Sequence, residues 1–133
     1  MRQITGLIAG FAFACSAAGQ AAERSPVPGA WHVTGDVAGR SFALDCRFNP
    51  AAGGFGGDCT ELASSDARGT PGKVHRLNKG SQSGAQISWS YPVTIIFMRL
   101  DIGFAGKVEG DRISGTTSAA GRKGSFSAIR TAN

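Results

Sequence analysis

The stretch "SFALDCRF", residues 41–48, places Phe42, Leu44, Cys46 and Phe48 on one side of an extended chain. Ser41, Asp45 and Arg47 fall on the other. Period two of this kind marks a strand with one buried and one solvated face. The pattern recurs along the chain, and helical periodicity is nearly absent. The sequence contains 20 glycines, many of them at turn signals that return at short intervals. Such a chain is restricted to hairpin-linked, all-β architecture.

Eight strands are predicted, over residues 31–37, 41–48, 58–63, 73–79, 86–91, 92–108, 112–119 and 125–130. In the first, Trp31, Val33, Gly35 and Val37 share a face, with His32, Thr34 and Asp36 opposite. Residues 49–57, "NPAAGGFGG", read as a flexible hairpin loop, and "SSDARGTPG" as a second loop. The run 92–108 reads as one long strand that bends or bulges at Gly103. Its core face is taken as Thr94, Ile96, Met98, Leu100, Ile102, Phe104 and Val108. Val93, Ile95 and Phe97 lie on the other face, ahead of Arg99 and Asp101. A buried helix starting at Pro92 is the alternative, opposed by the β-branched residues and the glycines.

Eight consecutive strands would leave two exposed edges unless they closed on themselves. The expected fold is therefore an eight-stranded antiparallel up-and-down β-barrel, with an open β-sandwich as the alternative. At eight strands the interior is either filled by side chains or holds one small ligand. Trp31, Phe42, Trp89, Tyr91 and Met98 are the candidates for lining it, as pocket or as core.

The N-terminus reads differently. Arg2 precedes an apolar run from Ile4 to about Ala14, and small residues lead to "GQAAE". This is the layout of a secretory signal peptide, expected to span residues 1–22. The run is too short for a membrane span of about 20 residues. Cleavage leaves one domain, residues 23–133, in the periplasm or secreted. A lipid anchor at Cys15 is the alternative ending, although "AFA" before it lacks the usual Leu. In an exported chain the remaining cysteines, Cys46 and Cys59, read as a disulfide. A redox or metal pair is the alternative, with C-x12-C spacing and no nearby His cluster against it.

The formal net charge is +5. Only "KVHRLNK", residues 73–79, concentrates it, with Lys73, His75 and Lys79 on one strand face. That face is either simply solvated or a contact for anionic lipid head groups, polysaccharide or an acidic partner. No nucleic-acid motif is present.

Nothing in the chain has the spacing of a catalytic, metal or cofactor site. His32 and His75 are each expected on an outer strand face. "GSQSG" has Gln82 where a nucleophile elbow needs Ser. "GTPGKV" lacks phosphate-loop spacing. Asp45 with Arg47, and Arg99 with Asp101, have the spacing of same-face surface ion pairs. Facing inward, Arg99 and Asp101 would be the best polar anchors for a ligand.

"GAW" before the first strand and the late Arg130 resemble the calycin pattern of lipocalins and avidins. The tail "FAGKVEGDRISGTTSAAGRKGSFSAIR" resembles the last strands of small secreted bacterial barrels of unassigned function. The calycin resemblance implies that Trp31 closes one barrel end and that Arg130 packs across it. Val33 stands where avidins carry Asn, so no biotin site is implied. "GAW…LDCRFN" also resembles secreted bacterial metalloprotease inhibitors. That resemblance implies a tail, residues 23–29, that enters a protease active site. The expected function is a non-catalytic exported binding module for a small apolar ligand or a protein. A protease inhibitor and a structural or envelope-associated protein with a filled core are the alternatives. An exposed stripe of Val93, Ile95 and Phe97 would favour a homodimer or a protein partner.

Overall fold

A computed structural model describes residues 27–62 and 71–131. The expected signal peptide, Cys15, residues 23–26 of the tail and most of the second loop lie outside the described residues. The described chain is all-β. Nine strands run β1 Gly29–Val37, β2 Arg40–Ala51, β3 Gly54–Glu61, β4 Val74–Arg76, β5 Lys79–Ser83, β6 Gln86–Ile95, β7 Met98–Glu109, β8 Arg112–Ala119 and β9 Arg122–Arg130. They form one antiparallel sheet in the order β4-β3-β2-β1-β9-β8-β7-β6-β5. No described helix is long and apolar enough to cross a membrane.

The sheet has nine strands where eight were expected, and it is not closed by a continuous ladder. Its end strands, β4 and β5, are nevertheless consecutive in the chain and separated by Leu77 and Asn78. The Leu77 amide donates to the Gly57 carbonyl of β3, and the Asn78 amide to the Ser90 carbonyl of β6, each at 3.0 Å. Two residues therefore bridge the two margins of the sheet. The expected single strand over 73–79 is thereby split. Its first part pairs with β3, and the chain after Asn78 pairs with β6. Glycine permits the approach of these margins. A Cβ at Gly54 would collide with the Gly80 carbonyl, and one at Gly80 with the Phe55 carbonyl.

Two other expectations are corrected. Residues 49–57 are not a long loop. β2 runs through Pro50 to Ala51, and a two-residue turn at Ala52 and Gly53 leads into β3. The run 92–108 is not one strand. It reverses at Ile96 and Phe97, pairing Ile95 with Met98, Val93 with Leu100 and Tyr91 with Ile102.

The inner face follows the alternation. Leu44, Cys46 and Phe48 of β2, Ile87, Trp89 and Tyr91 of β6, and Phe126 and Ala128 of β9 are buried in a single cluster. Trp31, Val33, Phe104, Val108 and Ile113 complete much of it. Each large side chain so buried contributes about 1.5–3 kcal/mol. Cys46 sits directly opposite Cys59 in the β2–β3 ladder, and the two form a disulfide. Replacing both by serine is expected to lower unfolding stability by about 3 kcal/mol, from the chain entropy of the loop that the bond closes. Denaturant titration of the oxidised parent and the double variant measures this.

Candidate functional site

The interior is occupied by aromatic rings in mutual contact. Trp89 stacks on Phe104 at 4.8 Å between centroids and meets Phe48 at 5.1 Å and Phe126 at 5.2 Å. Phe42 and Tyr91 each meet Phe104 at 5.8 Å. Trp31, Trp89 and Tyr91 are buried, and half-buried Phe42 packs against the same cluster. Met98 was expected beside them but is 63% exposed. The turn before it reverses the chain and carries it to the hairpin tip, away from the core.

At the lower end, where β1 begins and β9 ends, Trp31 is opposite Arg130. The guanidinium carbon lies 4.3 Å from the centre of the indole ring. Arg130 also donates from Nη1 to the Pro28 carbonyl and from Nε to Asp111, both at 3.0 Å. Trp31 Nε1 donates to the Val27 carbonyl at 2.8 Å. Val27 is completely buried. The last part of the tail that would reach a protease is thus fastened to this end.

His75 lies inside, not on an outer face. It is 7% exposed, and its ring stacks on Tyr91 at 4.6 Å. Its Nε2 is 3.5 Å from Glu61 Oε1 but is not aligned for a hydrogen bond. Lys73 and Lys79 remain exposed. Burial, and secondarily the Glu61 carboxylate, push the Tyr91 phenol well above its ordinary pKa. His32 stays at the surface, with Nδ1 3.0 Å from Asp45 Oδ1.

Arg99 and Asp101 are exposed, and Asp101 accepts a 3.0 Å bond from Asn78. Among the described residues, no group of three or more His, Cys, Asp or Glu side chains is placed to hold a metal ion. The outer face over β6, β7 and β8 holds a shallow depression of about 200 Å³ bordered by Ser88, Ser90, Thr116 and Ser118. Its lining also includes Lys79 but no acid and no histidine.

The hairpin tip is different in kind. Ile96 is 86% exposed and Phe97 fully exposed. Their φ angles are 45° and 63°, so both occupy the left-handed region. Two-residue hairpin turns of this shape favour Asn-Gly, because other side chains clash with the backbone there. A β-branched residue is especially unfavourable. Four cross-strand pairs, from Pro92–Asp101 to Ile95–Met98, outrun the neighbouring strands. The β7–β8 ladder starts only at Ile102, and the β5–β6 ladder ends at Ser90. At about 3.3 Å per residue the ribbon outruns the neighbouring ladders by roughly 13 Å, with Val93 at its root still packed against the core.

Of the expected interface stripe of Val93, Ile95 and Phe97, Val93 and Phe97 do not form one exposed face. Val93 is half-buried against the core, while Phe97 stands at the tip. The Ile95 side chain lies outside what is described. The turn was missed because it contains neither Gly nor Asn. A usable signal existed in the change of buried parity, from odd numbers at Ile87, Trp89 and Tyr91 to even numbers at Phe104 and Val108. A two-residue turn produces that change.

Comparison with protein-family models, with curated proteins and with solved structures found no match.

Two outcomes are expected. Replacing Ile96→Asn together with Phe97→Gly should raise unfolding stability by about 1–3 kcal/mol in denaturant titration, since the new residues suit the turn. Tyr91, whose folded pKa is raised, favours the folded state fully below its unfolded value of about 10, and this contribution is lost as pH rises further. Unfolding midpoints measured from pH 8 to pH 11 should fall more steeply for the parent than for Tyr91→Phe.

Proposed function

We propose that this chain is an exported, non-catalytic binding module that engages its partner through the β6–β7 hairpin. The observation that carries the reading is a fully exposed Phe97 on a turn whose backbone disfavours it. Large apolar side chains grouped at a projecting tip mark a contact surface. The disulfide is compatible with export, which rests on residues 1–22 of the sequence.

The module is proposed to be the eight-stranded barrel that the hairpin count implies, with β4 and β5 as two halves of one strand divided at Leu77 and Asn78. Its interior is proposed to be filled core. The ring contacts among Phe48, Trp89, Phe104 and Phe126 support filling over ligand carriage. Attachment of Val27 and Pro28 to the lower end weighs against an inhibitor that acts through its tail.

The test is a pair of native mass spectra of protein purified from an exporting host, before and after denaturation. The expected spectrum shows a processed chain that releases no small molecule. A released molecule would overturn the filled-core reading and return the ligand to the interior.

A further inference from the structure

We infer that the partner of the hairpin is a lipid bilayer rich in anionic head groups, into whose surface Ile96, Phe97 and Met98 insert. The inference rests on the hairpin reading above and names the partner of that site.

The antiparallel order places the turns at 38–39, 96–97 and 120–121 and the chain entering β4 at one end of the sheet. Five exposed cations lie in or near these connections: Arg40, Lys73, Arg99, Arg122 and Lys123. Among the described residues none of the five is in a salt bridge. Three described acids near this end, Asp36, Asp101 and Glu61, offset part of that charge, leaving the cations in excess. Asp36 accepts from the Ser125 hydroxyl at 3.2 Å, Asp101 from Asn78 at 3.0 Å, and Glu61 lies against His75 at 3.5 Å. The opposite end carries fewer such cations, Arg112 being exposed there and in no salt bridge among the described residues. There Lys107 pairs with Glu109 and Arg130 with Asp111. Among the described residues, five cations outside salt bridges are thus gathered behind the apolar tip, while at the far end Lys107 and Arg130 are paired and Arg112 is not.

This arrangement fits a surface that is apolar in depth and negative at its face. Apolar side chains that enter a membrane surface reach the boundary of head groups and acyl chains, about 5–10 Å deep, and neighbouring Lys and Arg add attraction to anionic lipid. Beyond Val93 the ribbon keeps two cross-strand pairs, roughly 7 Å at about 3.3 Å per residue, and the tip side chains extend it to that depth. A second copy meeting tip to tip would bring the two sets of cations together, so charge opposes self-association through this end.

The experiment uses the processed, oxidised protein with vesicles of phosphatidylglycerol mixed with phosphatidylcholine, and with vesicles of phosphatidylcholine alone. The expected result is sedimentation with the anionic vesicles, weakened by salt. Ile96→Asn with Phe97→Gly should cut that partitioning roughly tenfold or more while the protein stays folded. In Phe97→Trp, brominated lipid should quench the new indole, whereas Trp31 and Trp89 are buried. A parent protein that stays in the supernatant with anionic vesicles overturns the lipid inference. If the parent then self-associates or blocks a secreted protease, and the tip double variant does not, the hairpin reading stands with another partner. Equal binding of parent and double variant to anionic vesicles overturns both, because charge alone would then account for it.

Discussion

A single sheet with no described helix beside it must bury its inner face against itself. That constraint governs most of the described structure. The strands have to curve until facing side chains interdigitate, and the backbone has to tolerate close approach where the margins converge. Gly54 and Gly80 serve this need directly, since a side chain at either would strike the backbone of the other margin. The aromatic cluster then does for this sheet what a second layer does elsewhere. Trp89 lies near its middle, in contact with Phe48, Phe104 and Phe126 from three other strands. Its Nε1 has no hydrogen-bond partner among the described residues, so packing here outweighs the desolvation of one donor.

The two ends of the curled sheet solve different problems. At the lower end the gap is covered by local chain. Arg130 lies over Trp31 and grips the Pro28 carbonyl, while the indole holds the Val27 carbonyl. An Arg over an indole face contributes about 0.5–2 kcal/mol. The guanidinium carbon is 4.3 Å from the ring centre. At the upper end, the stack of His75 on Tyr91 lies beneath the root of the projecting ribbon. Val93 adds a packed residue just above it. The ribbon therefore rises from a packed base, even though its last pairs have no neighbouring strand.

What could be read from the sequence follows from which force sets each feature. Alternation is set by burial, and residues 41–48 and 125–130 displayed it because nothing else competed. The disulfide was legible because two cysteines remained for one bond. Residues 49–57 misled because glycine and proline suggest a loop, whereas the ladder runs through Pro50 to a two-residue turn. The reversal at Ile96 and Phe97 was hidden for the opposite reason. Apolar residues in sequence suggest a buried strand, and here they are the most exposed large apolar side chains described. The inward position of His75 was equally concealed. Its neighbours Lys73 and Lys79 are exposed, and only the stacking partner from β6 explains its burial.

Among the described residues, local preference and the global fold disagree most sharply at the tip. Elsewhere, glycine stands at most positions of positive φ, and two small alanines, Ala38 and Ala120, occupy others. Folding alone offers no reason for Ile and Phe at a turn that suits Asn-Gly. Such strain costs of order 1–3 kcal/mol per residue, and burial of a Phe side chain returns about 1.5–3 kcal/mol. The two are comparable only if Phe97 becomes buried, and within the isolated chain it does not. The side chain that best balances the turn is therefore one that enters an apolar medium supplied from outside.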